Sequence, residues 1–240
     1  MMLLHLAGLR IGIDNQYDFS PRVREWMGYG KPQFVVRVSE EELEREDGGR
    51  GLPKEYLEFI CVYRQIAEHL PDYDAFVFHG GAVAKDGLAY LFTAPSGTGK
   101  TTHLIGWKIR YGWEAWFLNG DKPILRKSSG GFVVCGTPWR GKEELGVNAI
   151  LPIQGICMLH RGEENRISRA KPEEMIRFLS RQVYFPKDPA RMEKMLSLLD
   201  ECCRTVPVWD LYCTVGRHAA ECAYEAMKPH PCAAAVELPG

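Results

Sequence analysis

Eight consecutive residues, Ala94-Pro95-Ser96-Gly97-Thr98-Gly99-Lys100-Thr101, have the spacing of a phosphate-binding loop, [AG]-x4-G-K-[ST]. Such a loop needs glycines because its backbone must curl until several N–H groups point at phosphate oxygens. Ser96, Gly97, Thr98, Gly99, Lys100, Thr101 and Thr102 are the candidate phosphate-binding residues, and they imply binding of a nucleoside triphosphate such as ATP. Lys100 would supply charge to the β- and γ-phosphates, and the Thr101 hydroxyl would ligand Mg²⁺.

Three further features could complete the chemistry. Asp121 ends an apolar run about twenty residues beyond Lys100, where a magnesium-holding acid belongs. It could hold the metal, directly or through water, or take the proton of an attacking hydroxyl; capping a turn is the plainer alternative. His79 precedes two glycines in an apolar segment, and is either an interior residue or a group facing the γ-phosphate. Arg140, Lys142 and Asn148 lie in a Gly-, Pro- and Trp-containing segment from Gly136 onward; they are surface charges or a clamp for phosphate oxygens.

These residues need elements to position them. Leu88–Phe92 reads as a strand entering the loop, and the residues after Thr101 as the first turns of a helix, whose N-terminus adds partial positive charge behind the phosphates. Upstream, Ala75–Ala84 reads as one strand containing His79, joined to Leu88–Phe92 by the hairpin signal Lys85-Asp86-Gly87. Downstream strands are expected at 114–118, 123–126, 131–135, 149–159 and 206–211, with helices at 172–183, 189–202 and through about 227. The tail from 229 to 240 has few structure signals. Residues 1–70 form an N-terminal α/β portion and 71–240 the nucleotide-binding domain, or the two are one continuous domain. In the N-terminal portion, Leu3–Ile13 reads as a first strand, 33–38 as another, and 56–70 as an amphipathic helix. The acidic stretch Ser39–Asp47 reads as an exposed turn region: a solvated face, or a docking surface for a basic partner.

At 240 residues, 45% hydrophobic and 25% charged, the chain has the composition of a soluble globular protein long enough to bury a core. A formal net charge of −1 offers no electrostatic basis for nucleic-acid or membrane-surface binding. No apolar run approaches the ~20 residues of a bilayer span, and the N-terminus lacks a secretory leader, so a cytoplasmic location is expected. Eight cysteines include no C-x2-C pair, which favours reduced thiols over a structural metal site.

The His79-Gly80 strand joined by a hairpin to the strand before the loop, the run Pro95–Thr102, and the acid ending the next strand together resemble the HPr kinase/phosphorylase and phosphoenolpyruvate carboxykinase superfamily. The resemblance covers about residues 75–160, and the chain looks most like short HPr-kinase-related proteins. It implies an α/β fold with a mixed-sheet P-loop kinase core and a helical C-terminal part. The activity implied is ATP- and Mg²⁺-dependent transfer to a Ser or Thr hydroxyl of a small protein or peptide. Lys100 and Thr101 would bind phosphates and metal, Asp121 would match the metal and base position, His79 the strand histidine, and Arg140 would stabilise the transferring group. A homo-oligomer is plausible on the same ground. HPr kinases commonly carry two adjacent acids where this chain has Gly120-Asp121-Lys122. A nucleotide-dependent regulatory module with weak ATPase activity, or a small-molecule kinase, remains the alternative.

Overall fold

The computed structural model describes residues 1–95, 97–214 and 216–229. The chain opens with a hairpin of β1 (Met2–Leu6) and β2 (Leu9–Ile13) rather than one strand. Ala7 and Gly8 turn it at φ 53° and 74°, the primed-turn geometry that matches strand twist. A short helix α1 (Ser20–Val23) follows, and β3 (Phe34–Val36) pairs with β2 in parallel.

The acidic segment is a helix, α2 (Glu40–Asp47), not a turn region. Ser39 and Glu42 form a reciprocal capping box, and Gly48 closes the other end in the left-handed conformation. Glu40, Glu41 and Glu42 sit in the first turn, where the helix dipole favours negative charge, and Leu43 anchors the helix to the core. Next comes α3 (Lys54–His69), whose Leu57, Phe59, Val62 and Ile66 are buried.

A nine-stranded mixed sheet carries the rest of the described residues. The apolar stretch expected to be one strand breaks at His79-Gly80 into β4 (Ala75–Val77) and β5 (Gly81–Lys85). These halves serve different neighbours: β4 pairs with β8 (Ile124–Ser128), whereas β5 pairs with β6 (Leu88–Thr93) and β7 (Ala115–Asn119). The Asp86-Gly87 turn between β5 and β6 has φ 54° and 75°. β9 (Gly131–Cys135) forms a hairpin with β8.

The long β10 (Ile150–Arg161) bridges two regions. Its start runs antiparallel to β9, its middle parallel to β6, and its end parallel to β12 (Val208–Cys213). β11 (Arg166–Arg169), absent from the sequence reading, covers the outer side of β12.

Alternation along the strands divides the core. On β6, Tyr90 and Phe92 face α4 (Lys100–Tyr111) and α7 (Arg217–Met227); Ala89 and Leu91 face the side occupied by α5 (Pro172–Leu179) and α6 (Pro189–Thr205). A third apolar cluster fills the N-terminal portion and takes in Ile124 and Cys135 from the large sheet and Trp139 from the segment after β9. Among the described residues no helix is long and apolar enough to cross a membrane. The seven described cysteines are free thiols; Cys232 and the tail beyond 229 lie outside the described residues.

Candidate active site

β6 and β7 run in the same direction with β5 antiparallel between them, so the ends of β6 and β7 and the start of β5 share one edge. The glycine-containing loop 94–101 leaves β6 there, Asp121 follows β7, and His79 precedes β5. That placement brings three segments distant in sequence onto one cavity of about 470 Å³, lined by His79, Gly97, Lys100, Thr101, Thr102 and Asp121 among others.

Within the loop, Gly97 and Gly99 have φ 77° and 112°, outside the usual range of residues with a side chain. The helix begins at Lys100, directing its N-terminus at the cavity. Arg161, at the end of β10, donates from Nη2 to the Gly97 carbonyl at 2.6 Å and ties the loop to the neighbouring strand. Nothing in the sequence marks Arg161 beyond its place after an apolar run. Ser96 lies outside the described residues.

Asp121 is the electrostatic centre. Its Oδ1 lies 3.2 Å from Lys100 Nζ and 3.3 Å from His79 Nε2, and Oδ2 lies 3.9 Å from Lys122 Nζ. Burial alone would raise this carboxyl, but the His79 contact and the Lys122 and Lys100 charges outweigh it and bring it to about 2. The acid is therefore ionised throughout the ordinary pH range. Lys122 is pushed down, first by burial and also by Lys100, with Asp121 opposing.

A buried amide holds this turn. Asn119 Oδ1 accepts from the Asp121 and Lys122 amides at 3.0 and 2.8 Å. Its Nδ2 donates to the Thr137 carbonyl and hydroxyl, each at 3.0 Å, and the Thr137 hydroxyl donates to the Lys122 carbonyl at 2.7 Å. Neither residue belongs to the phosphate-loop motif, although Asn119 two positions before Asp121 is an Asx-turn pattern. The Gly80 amide also donates to the Asp121 carbonyl at 2.9 Å, joining the histidine segment to the acid.

Arg140 is elsewhere. Its guanidinium lies over the Trp26 ring at 5.5 Å, with Nη1 3.4 Å from Glu25 and 3.2 Å from the Gly146 carbonyl. Cation–π and charge attraction from the N-terminal portion thus draw it away from the cavity beside Lys100 and Asp121. Asn148 likewise donates to the Glu25 carbonyl at 2.9 Å. Lys142 is the cation of that segment which lines the cavity.

Beyond the loop lies a second cavity of about 540 Å³, lined by Thr102, His103, Leu159, Arg161, Cys213 and Thr214 among others. His103 is 5% exposed, and its Nε2 accepts from the Trp107 indole at 3.1 Å. That bond places the ring proton on Nδ1, which has no partner among the described residues. Burial lowers His103 to about 3, so it is neutral.

No family model matches the chain, and a search of curated proteins finds no significant match. Among solved structures, the chain is similar to the HPr(Ser) kinase/phosphatase from Coxiella burnetii: 14% identity over 53% of this chain and 90% of that one, with a TM-score of 0.30. The similarity is distant.

Proposed function

We propose that the chain is an ATP- and Mg²⁺-dependent kinase that transfers the γ-phosphoryl group to a hydroxyl, a Ser or Thr of a small protein or peptide. The observation that carries this reading is the meeting of Lys100, Thr101, His79 and Asp121 on one cavity at the start of a helix. The phosphates would lie against the loop amides and Lys100. The nucleoside would extend into the cavity beyond Thr102, where His103 offers a buried N–H donor.

The residues present fit magnesium. The Thr101 hydroxyl and the Asp121 carboxylate are hard oxygen donors on the same cavity, and Mg²⁺ commonly takes one or two carboxylates with phosphate oxygens and waters completing its shell. When bound, the ion would neutralise charge on the β- and γ-phosphate oxygens.

In transfer, the acceptor oxygen bonds to phosphorus as the bond to the bridging oxygen of ADP breaks. The hydroxyl proton passes to Asp121. Asp121 takes that proton late, as a loose transition state permits. His79 and Asn119 keep the carboxylate aimed, and Lys100 stabilises charge on the transferring group.

Intact-mass analysis of candidate peptides with ATP and Mg²⁺ tests the activity. Asp121→Asn is expected to lower transfer by at least ~100-fold, while metal-free ADP, held by the loop and Lys100, still binds. Wild-type transfer rates in that variant refute the assigned role.

A further inference from the structure

A cleft of about 880 Å³ opens beside Asp121, with none of the described residues of the loop 94–102 in its lining. Asp121, Gly141 and Lys142 line both this cleft and the phosphate cavity. We propose that this cleft, between α1, α3 and the segment after Pro138, receives a peptide that presents its Ser or Thr to Asp121 with an aromatic or aliphatic side chain beside it. The proposal rests on the kinase reading above and names its acceptor surface.

Three observations support it. The first is direction. In-line transfer places the acceptor oxygen opposite the leaving group, so an acceptor must approach from the side the nucleotide does not occupy. The cleft reaches Asp121, and none of the described residues of the loop 94–102 lines it.

The second is the layering of its walls. Phe19, Phe59 and Trp139 are buried, 1%, 6% and 6% exposed, and form an apolar floor. Tyr56, Ile60 and Tyr63 are half-buried above it, whereas Arg22, Glu55, Lys142 and Glu144 are exposed at the rim. An apolar centre within a charged rim is the pattern of a surface that takes a protein segment. The only indole N–H on that floor is already used: Trp139 Nε1 donates to the Phe59 carbonyl at 2.9 Å.

The third is rigidity. Phe59 and Trp139 stack at 5.5 Å between centroids, Tyr63 packs on Trp139 at 5.4 Å, and the Arg22 guanidinium covers Tyr56 at 5.2 Å. The walls are therefore preformed, and little ordering would accompany docking.

The test uses the full chain, ATP, Mg²⁺ and a positional-scanning library of nine-residue peptides with one central Ser or Thr. Selection for Phe, Leu or Ile within two positions of the hydroxyl is expected. With the best peptide, Ile60→Ser should raise KM about tenfold, the effect of losing one apolar contact, while Mg-ADP affinity stays at the wild-type value. Tyr56→Ser repeats the measurement from a second position, should the first variant fold poorly. A library without preference, or an unchanged KM in both variants, overturns the cleft assignment and leaves the kinase reading standing. Transfer confined to a panel of free sugars and nucleosides overturns the peptide acceptor. No transfer to any acceptor, with normal Mg-ADP binding, overturns the kinase reading and this inference together.

Discussion

Asp121 and His103 show how single side chains acquire their chemistry from surroundings that other segments supply. Asp121 is held ionised by two lysines and a histidine, and Asn119 fixes the backbone that carries it. His103 is held neutral because its Nε2 accepts from Trp107 and burial penalises the cation. The folded value of His103, about 3, lies below the ordinary 6.5, so the unfolded chain binds this proton more readily. Stability is complete above pH 6.5 and is lost as pH falls toward 3, at no more than ~1.4 kcal/mol per pH unit from this group. Urea midpoints of wild type and His103→Gln between pH 7.5 and 5 should therefore diverge, with the variant less sensitive to acid. Parallel curves would show that His103 does not set the acid limit.

At the level of elements, the site depends on how closely α4 approaches β5. A Cβ on Gly81 would strike Leu104 Cδ1 and lie 3.3 Å from the Gly120 carbonyl. Leu104 is fully buried, so it has nowhere to move. Gly81→Ala should cost ~1–3 kcal/mol of overpacking and weaken Mg-ADP binding by displacing the helix that carries Lys100 and Thr101. Calorimetric titration checks the second effect; unchanged affinity in a destabilised variant would separate the helix start from this contact. The same elements explain why the expected strand 75–84 breaks. β4 and β5 serve different partners, and the His79 amide bonds to the Gln182 carbonyl at 2.6 Å instead of a strand neighbour.

Across the whole molecule, two tryptophans join the N-terminal portion to the large sheet. Trp26 donates to the Gly136 carbonyl at 3.0 Å, and Trp139 donates to the Phe59 carbonyl at 2.9 Å. Both bonds are buried and cross between segments about a hundred residues apart. Trp26→Phe keeps an aromatic ring but leaves the Gly136 carbonyl unpaired, with an expected loss of ~1–3 kcal/mol in urea unfolding. Because Gly136 begins the segment that carries Arg140 and Lys142, peptide KM should rise in the same variant. A loss of stability with no change in KM would confine Trp26 to holding the fold.

Much of the candidate site was legible because its parts are local patterns. The loop from Ala94 to Thr101, the Asp86-Gly87 turn and the acid after an apolar strand are each specified by adjacent residues. The capping signal Ser39-x-x-Glu42 was equally local, and was obscured by the net charge around it. Other features had no such signature. Arg161 reaches Gly97 from sixty-four residues away, and Arg140 turns to Trp26 and Glu25 across more than a hundred. The direction of a long cationic side chain is decided by which partners the fold brings within reach, and only packing determines that.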